Sequence, residues 1–292
     1  MAKTRQDLIS QDRYIKENPY AHLDGDGGFD ATFVLAKGVT KLTPLITPVG
    51  IRTRACPRRR SAVPSSYTLR QIGDVARTVQ VALWKHRAQL LPKSESHRPM
   101  ELLNPELAFK ALGFHYDLCD TLGQFALEGK YFEVAGIVDS AAQEVRISRQ
   151  FPRRVQRFTA AHELGHAVLH EAVGLHRDRP VDGSRPRNQR NQTEWEADAF
   201  ATTFLMPAKL VAEEFEKRFH TMEFTLTEET IFALATEDEQ IVRRQLQDTR
   251  RRSRTLAVAQ RFGAVRFLSL AEVFGVSAEA MAIRLEELRL VG

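Results

Sequence analysis

"RFTAAHELGHAVLH", residues 157–170, decides how the rest of the chain is read. The stretch is rich in alanine, leucine and valine, which marks a buried helix, expected over about residues 153–171. On a helix, residues i and i+4 stand one turn apart on the same face, so His162 and His166 present two imidazoles side by side. Glu163 follows the first histidine on the edge of that face. It is badly placed to ligate but can reach a water on a metal held by its neighbours, which is the physical content of H-E-x-x-H. The pentad alone is equally compatible with a helix that merely carries histidines. Two unpaired buried imidazoles, however, are costly. Gly165 costs about 1 kcal/mol relative to alanine inside a helix, which implies a close neighbour there, a strand or a substrate backbone.

A catalytic zinc keeps three protein ligands and one open position, so a third ligand is required. The metzincin spacing would need glycine at 169 and histidine at 172, and the chain has Leu169 and Ala172. A later helix, expected over about 193–206, offers carboxylates instead. In "NQTEWEADAFATTFLMP", Glu194, Ala197, Asp198, Ala201, Phe204 and Leu205 share one face at 3.6 spacing. That face is apolar apart from its two acids, and a core-facing carboxylate needs a partner. Glu194 is taken as the third ligand, with Asp198 one turn on to accept the second ring N–H of a ligating histidine. Glu196 is the competitor. It reads instead as the third position of a capping box begun at Thr193. His170 lies two turns from His162, about 12 Å along the axis, and is given a packing or hydrogen-bonding role. His176 falls in a loop that could line the cleft.

Around these helices the chain reads as α+β. Residues 68–91 carry Leu69, Ile72, Val75, Ala76, Val79, Leu83 and Leu90 at helical spacing. "NPELAFKALG" is a short helix with Asn104 as N-cap and Gly113 at its end. Three strand-like runs follow, "FHYDLCDTL", "YFEVAGIVD" and "EVRISR", the last two joined by "SAAQ" as a hairpin loop. "EVRISR" could hold an extended substrate by edge pairing. The expected divisions are an irregular extension over 1–65, a core over 66–207 and a helical module over 208–292.

Composition narrows the function classes. The chain has 292 residues, a formal charge of +5 and two cysteines, Cys56 and Cys119, which imply no disulfide framework and exclude a four-thiolate metal site. No apolar run approaches the 18 or so residues of a membrane span, and residues 1–20 lack a signal-peptide core, so a cytoplasmic location is expected. Arginine clusters at 56–61 and 249–254 carry much of the charge and read as solvated loops or helix ends.

At these motifs the chain resembles the ImmA/IrrE family of metallopeptidases. "RFTAAHELGHAVLH" looks like the family's active helix, "EWEADAFATTFLMP" like its second helix, and "VAGIVDS" with "EVRISR" like the strands before it. The resemblance implies a zincin-like core, a small sheet with an active-site helix and a ligand helix. His162, His166 and Glu194 would bind Zn2+, with Mn2+ also compatible, and Glu163 would act as the base. It also implies a site-specific endopeptidase whose protein substrate is often a helix-turn-helix repressor of stress-response or mobile-element genes. Asp198 stands where many relatives carry asparagine. Two rival readings remain. "LAEVFGVSAEAMAIRL" is spaced like a helix-turn-helix, but Glu279, Glu286 and Glu287 would repel phosphates, so direct nucleic-acid binding is not favoured. A regulator using its metal only structurally would have no need of Glu163.

Overall fold

The computed structural model describes residues 66–92, 98–127, 130–170, 176–178, 192–234, 243 and 246–292. Expectations for residues 1–65, including Cys56 and the arginines near it, and for most of the 174–191 loop lie outside these. The described chain is a small mixed sheet with helices, the α+β class expected.

Helix α1, Leu69–Lys85, starts at a capping box in which Thr68 Oγ1 accepts from Gln71 N. Its apolar stripe buries Ile72, Val75, Ala76, Val79 and Leu83. Leu69 belongs to the same periodic set but is exposed in the first turn. A break at His86 separates the short helix α2, Arg87–Leu90. Helices α3, Pro99–Leu102, and α4, Pro105–Ala111, follow. Asn104 caps α4 by accepting from Glu106 N, and Gly113 closes it at φ 82°, a left-handed conformation that glycine adopts without strain.

Strand β1 is His115–Cys119. The chain then makes a hairpin, β2 (Gln124–Leu127) with β3 (Lys130–Glu133), before β4 (Gly136–Asp139) and β5 (Glu144–Ser148). Thus "YFEVAGIVD" is two strands, not one. Its first half pairs with β2, its second with β5, and the small Ala135–Gly136 pair marks the change of partner. Alternation along a sequence shows which face a residue takes, not which strand it meets. The β4–β5 turn runs through 140–143, where Asp139 Oδ1 accepts from Ala141 N and Ala142 N. Strand β6, His176–Asp178, completes a sheet ordered β1-β5-β4-β6, with β1 parallel to β5 and the other pairs antiparallel. Strand β5 is therefore interior, bonded on both sides. The expected pairing of an extended substrate along it is overturned, because its backbone donors and acceptors already serve β1 and β4.

Helix α5, Arg153–Leu169, packs on β4 and β5, and Leu164, Val168, Val138, Val145 and Ile147 are buried in the core they share. Helix α6, Gln192–Leu205, lies along α5 and is backed by α1. Gln80 Nε2 on α1 donates to the Thr203 and Phe204 carbonyls at 3.1 and 3.0 Å. Gly165 is explained here. A Cβ on it would sit 3.0 Å from Ala197 Cα and 3.1 Å from Ala197 O, so the close neighbour is the backbone of α6. Neither backbone can retreat without moving the carboxylates α6 carries. Gly165→Ala is expected to lose about 1–3 kcal/mol by overpacking, more than the roughly 1 kcal/mol of helix propensity it gains. Urea melts measure this, and a variant as stable as wild type would contradict the close fit.

The remaining helices are α7 (Ala208–Phe219), α8 (Glu228–Leu234), α9 (Thr249–Val258), α10 (Leu270–Phe274) and α11 (Ala278–Glu287). Gly275, at φ 63°, turns α10 into α11, and Ser277 caps α11 by accepting from Ala280 N. The arginines of α9 are not idle. Arg250 reaches Glu279 and Glu286, and Arg254 reaches Glu279, so two of the cluster's arginines are paired with α11, while Arg251 pairs with Asp248. Arg284 points inward and donates to Met206 O at the end of α6. Among the described residues no helix is long and apolar enough to cross a membrane.

Candidate metal centre

The chain folds His162, His166 and Glu194 into one cluster. The Nε2 atoms of His162 and His166 lie 3.0 Å apart. Glu194 Oε2 is 3.3 Å from His162 Nε2, and Glu194 Oε1 is 3.5 Å from His166 Nε2. Ligands about 2.0–2.1 Å from a tetrahedral zinc are about 3.4 Å apart, so the three edges are of the right length for one ion. Among the described residues this is the group of ligand-type side chains that could hold a metal. The imidazoles are buried, while Glu194 is 31% exposed and forms the open side. Burial opposes ionisation of Glu194, but hydrogen bonds and charge from His162 and His166 outweigh it and hold the carboxyl well below the usual carboxylate range. A preformed cluster of two imidazole nitrogens and a carboxylate, with room left on one side, fits a catalytic rather than a closed structural site.

The other ring nitrogens are held as well. His162 Nδ1 lies 2.9 Å from Asp198 Oδ1, the contact its place one turn after Glu194 leads one to expect. His166 Nδ1 lies 3.0 Å from His170 Nδ1, and His170 Nε2 lies 2.9 Å from Glu196 Oε2. Glu196 is buried, and its Oε1 accepts from Tyr67 N at 2.6 Å and Gln192 Nε2 at 2.9 Å. The capping-box reading of Glu196 is thus overturned. Helix α6 begins at Gln192, so Thr193 is inside it, and three donors from other parts of the site draw the carboxylate inward. Glu196 serves His170, and Glu194 alone of the two reaches the imidazole Nε2 pair. For His170, burial lowers the pKa and outweighs the opposing hydrogen bond from Glu196, which favours the neutral ring.

Glu163 is completely buried on α5, beneath β4. A Cβ on Gly136 would lie 2.7 Å from Thr159 Cγ2 and 2.8 Å from Glu163 Oε1, so only glycine lets β4 pass this close to the carboxylate. Gly136 was detectable in principle, since a glycine inside a strand pattern signals close backbone approach. The His170–Glu196 pair carried no such local signal, because its partner Tyr67 N is 129 positions from Glu196. His176 falls in β6, opposite Val138.

Two histidines and a carboxylate around one point, beside a buried glutamate, define a metallopeptidase-type site. Residues 120–237 match the Peptidase_M78 family model, the IrrE N-terminal-like domain. Over that stretch the chain is similar to the ImmA/IrrE family of peptidases. The match spans β2 to α8 and includes the whole cluster. Helix α1, which backs the cluster's second helix, precedes it. No curated protein matches the chain.

Proposed function

We propose that the chain is a zinc-dependent endopeptidase that cuts one specific protein, a helix-turn-helix transcriptional repressor, in a stress-response or mobile-element system. The observation that carries the enzymatic part is the convergence of His162 Nε2, His166 Nε2 and the Glu194 carboxylate beside buried Glu163. Zn2+, when bound, would lower the pKa of a water toward about 7 and polarise a carbonyl. Mn2+ fits the same donors less well, because imidazole favours zinc. Glu163 takes the proton of the attacking water and delivers it to the leaving amine nitrogen, a role that needs a carboxylate at this position and no ligation by it. Asp198 holds His162 in the tautomer whose Nε2 lone pair faces the cluster. The substrate class follows from the family resemblance.

The ion pairs of Arg250 and Arg254 with α11 support a protein-facing rather than a DNA-facing role for the C-terminal helices, since these cations are already balanced. The test is a search of the neighbouring genes for a helix-turn-helix repressor and co-expression of the chain with it, read by intact-mass spectrometry. One defined cut is expected, absent with His162→Ala. An intact repressor in the presence of zinc-loaded chain would remove the substrate assignment. A cut that persists in His162→Ala would remove the metal assignment.

A further inference from the structure

We infer that Glu196 and His170 form a positioning relay for His166, fixing which of its nitrogens faces the metal. The inference rests on the metal reading above. The two candidate ligands on α5 need the same thing, a proton on Nδ1 so that the Nε2 lone pair is free for the ion. His162 gets it from Asp198 directly. Behind His166 the described partner is an imidazole rather than a carboxylate. It is that of His170, with its Nδ1 3.0 Å from His166 Nδ1.

Two ring nitrogens facing each other cannot both carry protons in neutral imidazoles, and without any proton they repel. One assignment satisfies the whole row. His166 Nδ1–H donates to His170 Nδ1. His170 Nε2–H then donates to Glu196 Oε2, 2.9 Å away. Glu196 closes the row as an acceptor, and its other oxygen takes Tyr67 N–H and a Gln192 N–H. An anionic acceptor with neutral donors is the strong arrangement. Reversing the row would leave His170 Nε2 as a bare lone pair facing a carboxylate oxygen, and His166 without its Nδ1 proton. The carboxylate therefore sets the direction, and His170 transmits it across a gap that Glu196 does not span itself.

The backbone is shaped for this. His170 is the C-cap of α5, with φ −104° and ψ 148°, so the chain leaves the helix there. The Tyr67 hydroxyl donates to Leu169 O at 2.8 Å, holding that exit in place. Tyr67 supplies its backbone N–H to Glu196 and its phenol to the residue before His170, so one residue anchors the carboxylate that closes the row and the backbone beside its middle member.

The test uses the full chain with zinc and a chromophoric chelator as competitor. His170→Ala is expected to weaken zinc binding by about 10–100-fold, the usual effect of removing an outer partner of a ligating histidine. His170→Asn places an amide oxygen near the lost Nδ1 acceptor and is expected to recover most of that loss. Long-range 1H–15N spectra of the zinc-loaded wild type are expected to show His170 protonated on Nε2, a state that a mere packing role would not dictate. His170 protonated on Nδ1 would overturn the relay. So would zinc affinity unchanged in His170→Ala while His162→Ala abolishes binding. A wild-type chain that takes up no zinc would overturn the metal reading, and the relay with it.

Discussion

On the proposed function, Glu163→Gln is expected to keep the metal and to lose cleavage by about 10²–10⁴-fold, the span that a positioned general acid–base contributes. The substitution is nearly isosteric, which matters where a neighbouring strand passes this close. Glu163 is fully buried, and β4 runs against it so closely that a methyl group at Gly136 would collide with its carboxylate. A glutamine fits the same space but cannot take up a proton from water at neutral pH. Zinc content holds because the donor atoms are those of His162, His166 and Glu194, which the change does not touch. Metal analysis by mass spectrometry and a cleavage time course on the same sample check both halves. A variant that still cleaves would show that the proton goes elsewhere. A variant that loses its zinc would show that Glu163 is a ligand.

On the same reading, removal of zinc is expected to lower the stability of the core as well as its activity. A ligand present at 100–1,000 times its Kd stabilises the state that binds it by about 2.7–4.1 kcal/mol. For a domain of this size, 1 kcal/mol corresponds to about 2–4 °C in Tm, so chelation is expected to lower the midpoint by roughly 5–15 °C. The shift arises at the α5–α6 contact, since the ion would bridge His162 and His166 of one helix to Glu194 of the other. Glu194→Ala is expected to remove most of that chelator-sensitive increment. Differential scanning calorimetry with and without chelator measures it. Equal midpoints in the two conditions would remove the bridge.

Much of the site was legible because its chemistry is periodic. His162 and His166 are one turn apart on one helix, and Glu194 and Asp198 are one turn apart on the next. Helical geometry alone therefore gave two matching faces, and the structure sets His162 against both acids. What was hidden depends on contacts between distant segments. Glu196 looked like a cap because Thr193 stands three residues before it; its true partners come from the end of α5 and the start of α1. Strand β5 stands just before the active helix, a place that suggests a substrate-facing edge, yet β1 pairs with it from 29 positions earlier. The hairpin strand β2 was missed, its four residues being too short to stand out by period. Gly165 announced a near neighbour without saying which, and only the packing of α6 answers it.

The bond from Tyr67 to Glu196 is made by a peptide N–H. Almost any amino acid can supply that donor, proline excepted, so drift at position 67 would leave this contact intact while erasing the phenol's hold on Leu169. A comparison of related chains by residue identity would then pass over position 67, although its main chain stays tied to the buried carboxylate.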